Sequence, residues 1–316
     1  MAATDSRAPT ATMRGMSAPM PPPEEWPALV PAPGTIAWRR ASDARLLLAA
    51  GYALVLQVSH PTVGAGVSEH SQFRREPWGR LMRTLDYTYT MVYGGPQAAG
   101  EMGRRIRSFH RHIRGVMPDG RPYHALEPGA YAWVHATLAE AIVRAHRRFG
   151  LPFSDPEREA FWAQWRVLGR LLGIRERDLP ADWEGFGGYV TDMITGTLVR
   201  TPAVDDVLAA LTRPPAPEAP ALRAPVWALA RAPLGRVLGL ATIGLLTPAL
   251  RGRLGLGWST AQELQLRAFG AALRSTTPLM PAWLQNTGPN YLRYRAPAIA
   301  RGEVASPGRL AAAPGR

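Results

Sequence analysis

The stretch from residue 42 to residue 60, SDARLLLAAGYALVLQVSH, constrains the fold most, because its apolar residues are too dense for a surface helix or a solvated loop. It predicts a buried helix that ends at the His60–Pro61 boundary, since the residue before a proline disfavours the helical backbone. Strand patterns are nearly absent elsewhere. A chain of 316 residues is long enough to bury a large core, so we expect an all-α fold.

Further stretches show the helical spacing of apolar residues or helix-terminating signals. They cover residues 75–95, 96–113, 130–150, 155–173, 182–199 and 226–254. Two intervening stretches are expected to be irregular, namely 62–73, which contains Gly64 and Gly66, and 115–128, which contains Pro-Asp-Gly. The domain organisation predicted is a disordered Pro- and Ala-rich leader at 1–34, a single helical domain at 35–296 with a Pro-rich linker or external loop at 212–225, and a flexible tail at 297–316.

Composition excludes several classes of site. The chain contains no cysteine, which removes disulfides, thiolate-bound heme, iron–sulfur clusters and cysteine-ligated zinc. The net charge of +13 comes from 37 basic residues, all of them arginine. Because they are spread along the chain and no nucleic-acid motif accompanies them, we expect no nucleic-acid partner.

Two segments bear on the location of the protein in the cell, the N-terminal segment and the apolar residues 226–254. The N-terminal segment has no apolar core of the signal-peptide type, which favours a cytoplasmic protein. The apolar part of residues 226–254 is interrupted by Arg, Gly and Pro. We expect it to be too short to span a bilayer comfortably, which leaves peripheral membrane contact open.

The segment RRIRSFHRHIRG offers an imidazole to a metal. His110 and Arg107 are three residues apart, so on a helix the Arg107 guanidinium lies near the imidazole. If the metal is heme iron, this guanidinium could hold a heme propionate. His112 points to a different side, so at most one of the two histidines is a ligand. The segment also fits an arginine-rich amphipathic helix with a partly exposed histidine. Signatures of zinc hydrolases, serine hydrolases and nucleotide-binding loops are absent.

Several blocks of the sequence, in order, resemble the MpaB and rubber oxygenase family, also called latex clearing protein-like. These blocks are LLLAAGYALVLQVSHPTVGAGVSEHSQF, PWGRLMRTLDYTYTMVYGG, RRIRSFHRHIRG and GRPYHALEPGAYAWVHATL, and the similarity extends over roughly residues 38–292. The resemblance implies a globin-like helical domain with a heme pocket. It also implies a bound heme b, with His110 as the proximal iron ligand and Arg107 in the neighbouring family position.

The resemblance also assigns residues to the distal side of the heme. Rubber oxygenases carry an Arg-x-x-Lys-Thr motif there, and Arg80, Arg83 and Thr84 occupy the equivalent positions. Where the family can place a removable lysine ligand, this chain has Arg83, whose guanidinium offers no lone pair to iron. The iron is therefore expected to be five-coordinate or water-bound. Glu69 is the nearest counterpart of the family's distal glutamate base.

The resemblance implies a heme-dependent oxidoreductase, an oxygenase that uses dioxygen on a small hydrophobic substrate of the isoprenoid type. The electron donor is left unassigned. The alternative from another class is a non-catalytic heme-binding sensor or carrier, which needs the same proximal histidine and no substrate channel. A helical interaction protein that has lost heme is a third reading, which His110 and Arg107 disfavour.

Overall fold

A computed structural model describes residues 17–71, 76–216 and 224–301. Within these ranges the chain is helical apart from one two-stranded antiparallel hairpin and an isolated bridge between Asp43 and Asn286. The predicted all-α class is therefore confirmed.

The first helices show where the sequence pattern was misleading. After α1 (Trp26–Leu29) and α2 (Ile36–Arg40), the predicted long helix is divided into a 3-10 turn at Ala44–Ala49 and α3 (Ala50–Val58). The next stretch, predicted to be irregular, forms α4 (Pro61–His70). Pro61 begins this helix, where a missing N–H costs nothing. Gly64 is needed for close packing, because an added Cβ would lie 2.6 Å from the Val58 carbonyl oxygen.

The predicted helices at 75–95 and 96–113 are confirmed as an antiparallel pair, α5 (Pro77–Tyr93) and α6 (Gly95–His110). The second ends at His110, three residues earlier than predicted. The connection that follows contains a hairpin of β1 (Arg114–Val116) and β2 (Pro122–His124), which are paired in register from Arg114 opposite His124. Strands of this length carry almost no periodic signal, which is why the sequence indicated only turns.

The central helix α7 (Pro128–Phe149) supplies much of the core. Its N-terminus is capped by the Glu127 carboxylate, which accepts bonds from the N–H groups of Gly129 and Ala130. The remaining helices surround this core: α8 (Asp155–Leu168), α9 (Trp183–Asp192), α10 (Pro202–Thr212), α11 (Ala224–Leu245), α12 (Pro248–Arg253), α13 (Thr260–Thr276), α14 (Ala282–Gln285) and α15 (Thr287–Ala300).

The prediction that residues 1–34 form a disordered leader is wrong for residues 17–34, which are packed on the domain. Trp26 is only 1% exposed, and the Arg104 guanidinium carbon lies 4.5 Å from the centre of its ring. The aromatic ring buries enough apolar area to hold this Pro-rich segment on the domain. The other predicted leader residues, 1–16, lie outside the described ranges, as do residues 217–223 of the predicted linker and 302–316 of the predicted tail.

The apolar C-terminal stretch predicted at 226–254 forms two helices, α11 and the short α12. Its segment Pro225–Leu245 has 21 residues, enough to cross a membrane by length and composition, and 28% of its apolar window is buried within the protein. The expectation that this stretch is too short is therefore wrong. Ala44–Val58 and Pro61–His70 pass the same test only as a pair, with a bend of 104° between them.

Candidate active site

An apolar cavity lies between α3 with its preceding 3-10 turn, α5 and α7. Its volume is about 130 Å³, and its mouth is open to solvent. Alanines at many wall positions leave this space because their side chains are too short to fill it. The wall comprises Ala41, Leu46, Leu47, Ala49, Ala50, Ala53, Leu54, Gln57, Pro77, Arg80, Leu81, Thr84, Leu85, Thr88, Tyr89, Leu138, Ala141, Ile142 and Trp165.

The polar wall residues of α5 follow one face of the helix. Arg80, Thr84 and Thr88 are four residues apart, so each lies one turn beyond the last. The Thr84 hydroxyl donates to the Arg80 carbonyl oxygen at 3.0 Å, and the Thr88 hydroxyl donates to that of Thr84 at 2.9 Å. Both hydroxyl protons are therefore used in hydrogen bonds to the helix backbone.

Arg80 is the charged residue of the cavity among the described wall residues. Its guanidinium donates to the Ser71 hydroxyl, and no carboxylate of the described residues forms an ion pair with it. Burial lowers the pKa of Arg80, and the nearby positive charge of Arg83 lowers it further. The side chain thus brings a poorly compensated positive charge to an apolar space.

His110 lies at the C-terminal end of α6, within electrostatic reach of Arg80, although it is not itself a wall residue. Its Nδ1 is 2.7 Å from the Ile106 carbonyl oxygen, and its ring is 5.6 Å from that of Tyr131. Since only a protonated Nδ1 can donate to a carbonyl, Nε2 keeps its lone pair. Burial lowers the pKa of His110, and Arg80 adds to this effect. The imidazole is therefore held neutral with a metal-binding nitrogen available.

Arg107 is bonded to the N-terminal segment. Its two terminal nitrogens donate to the hydroxyl and the carbonyl oxygen of Ser17, at 2.6 Å and 2.9 Å. The side chain holds the N-terminal segment on α6. Because the guanidinium bonds to Ser17, a contact with a propionate would require it to exchange partners, and that contact stays a prediction.

Two other expected distal residues also lie off the cavity wall. Arg83 is 3.8 Å from the carboxylate of Glu76, on the outer side of α5. Glu69 accepts a hydrogen bond of 2.5 Å from the Tyr123 hydroxyl and remains half exposed. The structure therefore places Arg80 and Thr84 on the cavity wall, with His110 within electrostatic reach of Arg80, while Arg83 and Glu69 contact other residues.

Two residues near the site were not singled out in the sequence. Gln57 lines the cavity and donates its amide N–H to the Thr137 hydroxyl at 3.0 Å. A lone glutamine in a strongly apolar helix was the available signal. Tyr131 packs against His110, and its buried hydroxyl has no hydrogen-bond partner among the described residues. Nothing in the sequence pattern distinguished it from a core aromatic residue.

Comparison with known proteins identifies the class of the chain. Residues 38–275 match the family described as "ER-bound oxygenase mpaB/B'/Rubber oxygenase, catalytic domain". The chain belongs to this family, and the resemblance found in the sequence is confirmed. The match supports an oxygenase enzyme as its general activity.

The curated relatives add no specific activity. An uncharacterized protein of Mycobacterium tuberculosis and one of Mycobacterium bovis are each 25% identical to the chain over 237 residues, which is 73% of this chain and 89% of each relative. No solved structure gives a significant match.

Proposed function

We propose that the protein is a heme b-dependent oxygenase that uses dioxygen to oxidise a hydrophobic substrate of the isoprenoid class. The geometry of His110 carries this proposal. Its Nδ1 is bonded to a backbone carbonyl oxygen, which is the arrangement that orients a ligating imidazole and leaves Nε2 for iron. The family match supports the oxygenase part, and the resemblance to rubber oxygenases supports the isoprenoid part.

The side chains at the site fit such a cofactor. Heme iron requires one strong protein ligand, which His110 would provide through its Nε2. The apolar cavity that Arg80 lines would be left for the substrate. Bound heme would supply the activation of oxygen, which no side chain here performs alone. Arg83 is turned toward Glu76 and has no lone pair, so it would not serve as a second protein ligand to iron.

The protein's own groups would then have separate tasks. His110 would hold the iron from one side. Arg80 would donate hydrogen bonds to oxygen atoms that reach its end of the cavity, and Thr84 would keep that turn of α5 in place through its bond to the Arg80 carbonyl oxygen. The alanine and leucine wall would exclude water and hold the apolar substrate by burial of its surface. Arg83 and Glu69 are left out of this set because their charged groups contact other residues.

Heme retention by purified variants tests the ligand. We expect His110→Ala to fold but to lose most of its bound heme and the Soret band of the wild type. His112→Ala is the matched control, because His112 is an exposed histidine two residues further on. Unchanged heme content and an unchanged axial signature in His110→Ala would move the ligand to another residue.

Turnover separates an oxygenase from a heme sensor or carrier. Holo-protein supplied with a reductant, dioxygen and a panel of terpenoids should form oxygenated products, which mass spectrometry detects. The apolar cavity favours this outcome, because a carrier needs no binding space for a substrate besides the heme site. Autoxidation without any product across the panel would favour the sensor or carrier.

A further inference from the structure

We propose that the cavity binds an elongated apolar molecule that ends in a carboxylate, with Arg80 as the counter-ion of that carboxylate. This proposal names the substrate class of the same site and so rests on the proposed function. Its test measures binding and does not require heme to be present.

The first step of the argument is the charge of Arg80. Among the described residues its guanidinium has the Ser71 hydroxyl as a partner and no carboxylate within ion-pair distance, while Arg83 adds a second positive charge nearby. A cation withdrawn from water is costly unless an anion compensates it. A carboxylate that enters through the cavity would supply that compensation and could accept two parallel hydrogen bonds from the guanidinium.

The second step is the absence of competing donors along the described wall. The hydroxyls of Thr84 and Thr88 donate to backbone carbonyl oxygens, and the Gln57 amide donates to Thr137. The Tyr89 hydroxyl is 2.7 Å from that of Thr287. The cavity therefore offers one strong anion-binding group, and the other wall residues are mainly alanine and leucine.

The third step is shape. Arg80 and Tyr89 both line the cavity, so it follows α5 for about 13 Å. A charged group at one end of an apolar space of this length selects a molecule with one polar terminus and an extended apolar body. A free long-chain acid and a terpenoid acid share this chemistry. A propionate of the cofactor is a second source of a carboxylate for Arg80.

Calorimetric titration of the full-length protein tests the proposal with dodecanoate and dodecanol as probes. In the heme-free chain at neutral pH, we expect dodecanoate to bind roughly 10- to 100-fold more tightly than dodecanol, which is the range for hydrogen bonds to a charged group. Arg80→Gln should remove this preference and leave dodecanol binding unchanged. Arg80→Lys should restore part of it, which would show that the charge acts and that the fold is intact.

Arg83→Gln is the matched control. It removes the same charge from the same helix, but at a side chain that contacts Glu76 and does not line the cavity. It should keep the preference for the acid. Equal binding of acid and alcohol to the wild type, or an equal loss in Arg83→Gln and Arg80→Gln, would overturn the proposal.

Repeating the titration with heme bound distinguishes the two sources of the carboxylate. If Arg80 binds the substrate, the preference for dodecanoate persists in the holo-protein. If heme loading abolishes the preference and Arg80→Gln weakens heme binding, the carboxylate is that of the cofactor and the substrate assignment fails. A chain that prefers dodecanoate but shows no Soret band would contradict the proposed function and leave the carboxylate site standing.

Discussion

Arg144 on α7 and Arg80 on α5 are both largely enclosed by protein, yet their surroundings differ. Arg144 donates to the Glu140 carboxylate at 2.7 Å, its guanidinium carbon lies 5.4 Å from the centre of the Tyr52 ring, and Tyr52 also donates to Glu140. Burial alone would lower the pKa of Arg144, but its interactions with Tyr52 and Glu140 raise it. Arg80 has no carboxylate or aromatic partner among the described residues, and its pKa is lowered. A buried arginine with a carboxylate partner stabilises the fold, whereas a buried arginine without one is a candidate for binding an anionic ligand.

The largest effect should come from breaking the compensated pair. Glu140→Leu leaves Arg144 without its anion, so we expect the free energy of unfolding to fall by about 4 kcal/mol. Urea denaturation followed by circular dichroism measures it. The double variant Glu140→Leu with Arg144→Met should recover most of the loss, because two apolar side chains can replace a buried ion pair. A single variant as stable as the wild type would show that the pair is not needed.

A buried histidine on α7, His135, extends the comparison, because its imidazole is bonded within the core. Its Nε2 is 2.8 Å from the Trp165 carbonyl oxygen, and burial lowers its pKa from 6.5 to about 4. Between these two pH values the unfolded chain binds more protons than the folded one, so stability falls as the pH decreases. We expect a loss on the order of 3 kcal/mol from this group.

Unfolding curves measured across this pH range test the assignment to His135. His135→Gln keeps a donor for Trp165 but does not titrate, so its stability should depend less on pH by that amount. The exposed His112→Gln should behave like the wild type. The prediction fails if the two variants show the same pH dependence.

A smaller effect is expected at the Tyr52 hydroxyl, which donates to Glu140 at 3.1 Å. Tyr52→Phe keeps the ring over which Arg144 lies and removes only this bond, so the free energy of unfolding should fall by about 1 kcal/mol. Thermal unfolding checks it. No loss would mean that the bond to Arg144 alone satisfies the Glu140 carboxylate.

The smallest effect on stability should come from Arg80, which contrasts most with the Glu140–Arg144 pair. Arg80→Gln removes one hydrogen bond to Ser71 and also relieves the cost of an uncompensated cation. We therefore expect the stability of the ligand-free protein to change by less than about 1 kcal/mol. Urea denaturation alongside Glu140→Leu measures the contrast. A loss as large as that of Glu140→Leu would show that Arg80 is a structural residue.

The sequence predicted the helices that carry the site because their signals are local. The apolar spacing and terminal glycines of α5 and the position of His110 on α6 were sufficient. Predictions failed where distant packing decides the outcome. Gly64 suggested a loop, but Thr201 and the Val58 carbonyl oxygen leave no room there for a side chain. The partner of Arg107 is Ser17, 90 residues away, and no local pattern encodes that contact.

Part of the N-terminal segment supports α6 although it lies outside the span that matches the family. Ser17 and Trp26 precede the matched span of 38–275, yet they cover two turns of α6 at Arg107 and Gly100, and a side chain at Gly100 would collide with the Trp26 ring. The helix that carries His110 is thus held in part by residues outside the span shared with the family. A change at Ser17 or Trp26 would therefore act on the helix that carries His110 without altering any residue of the matched span.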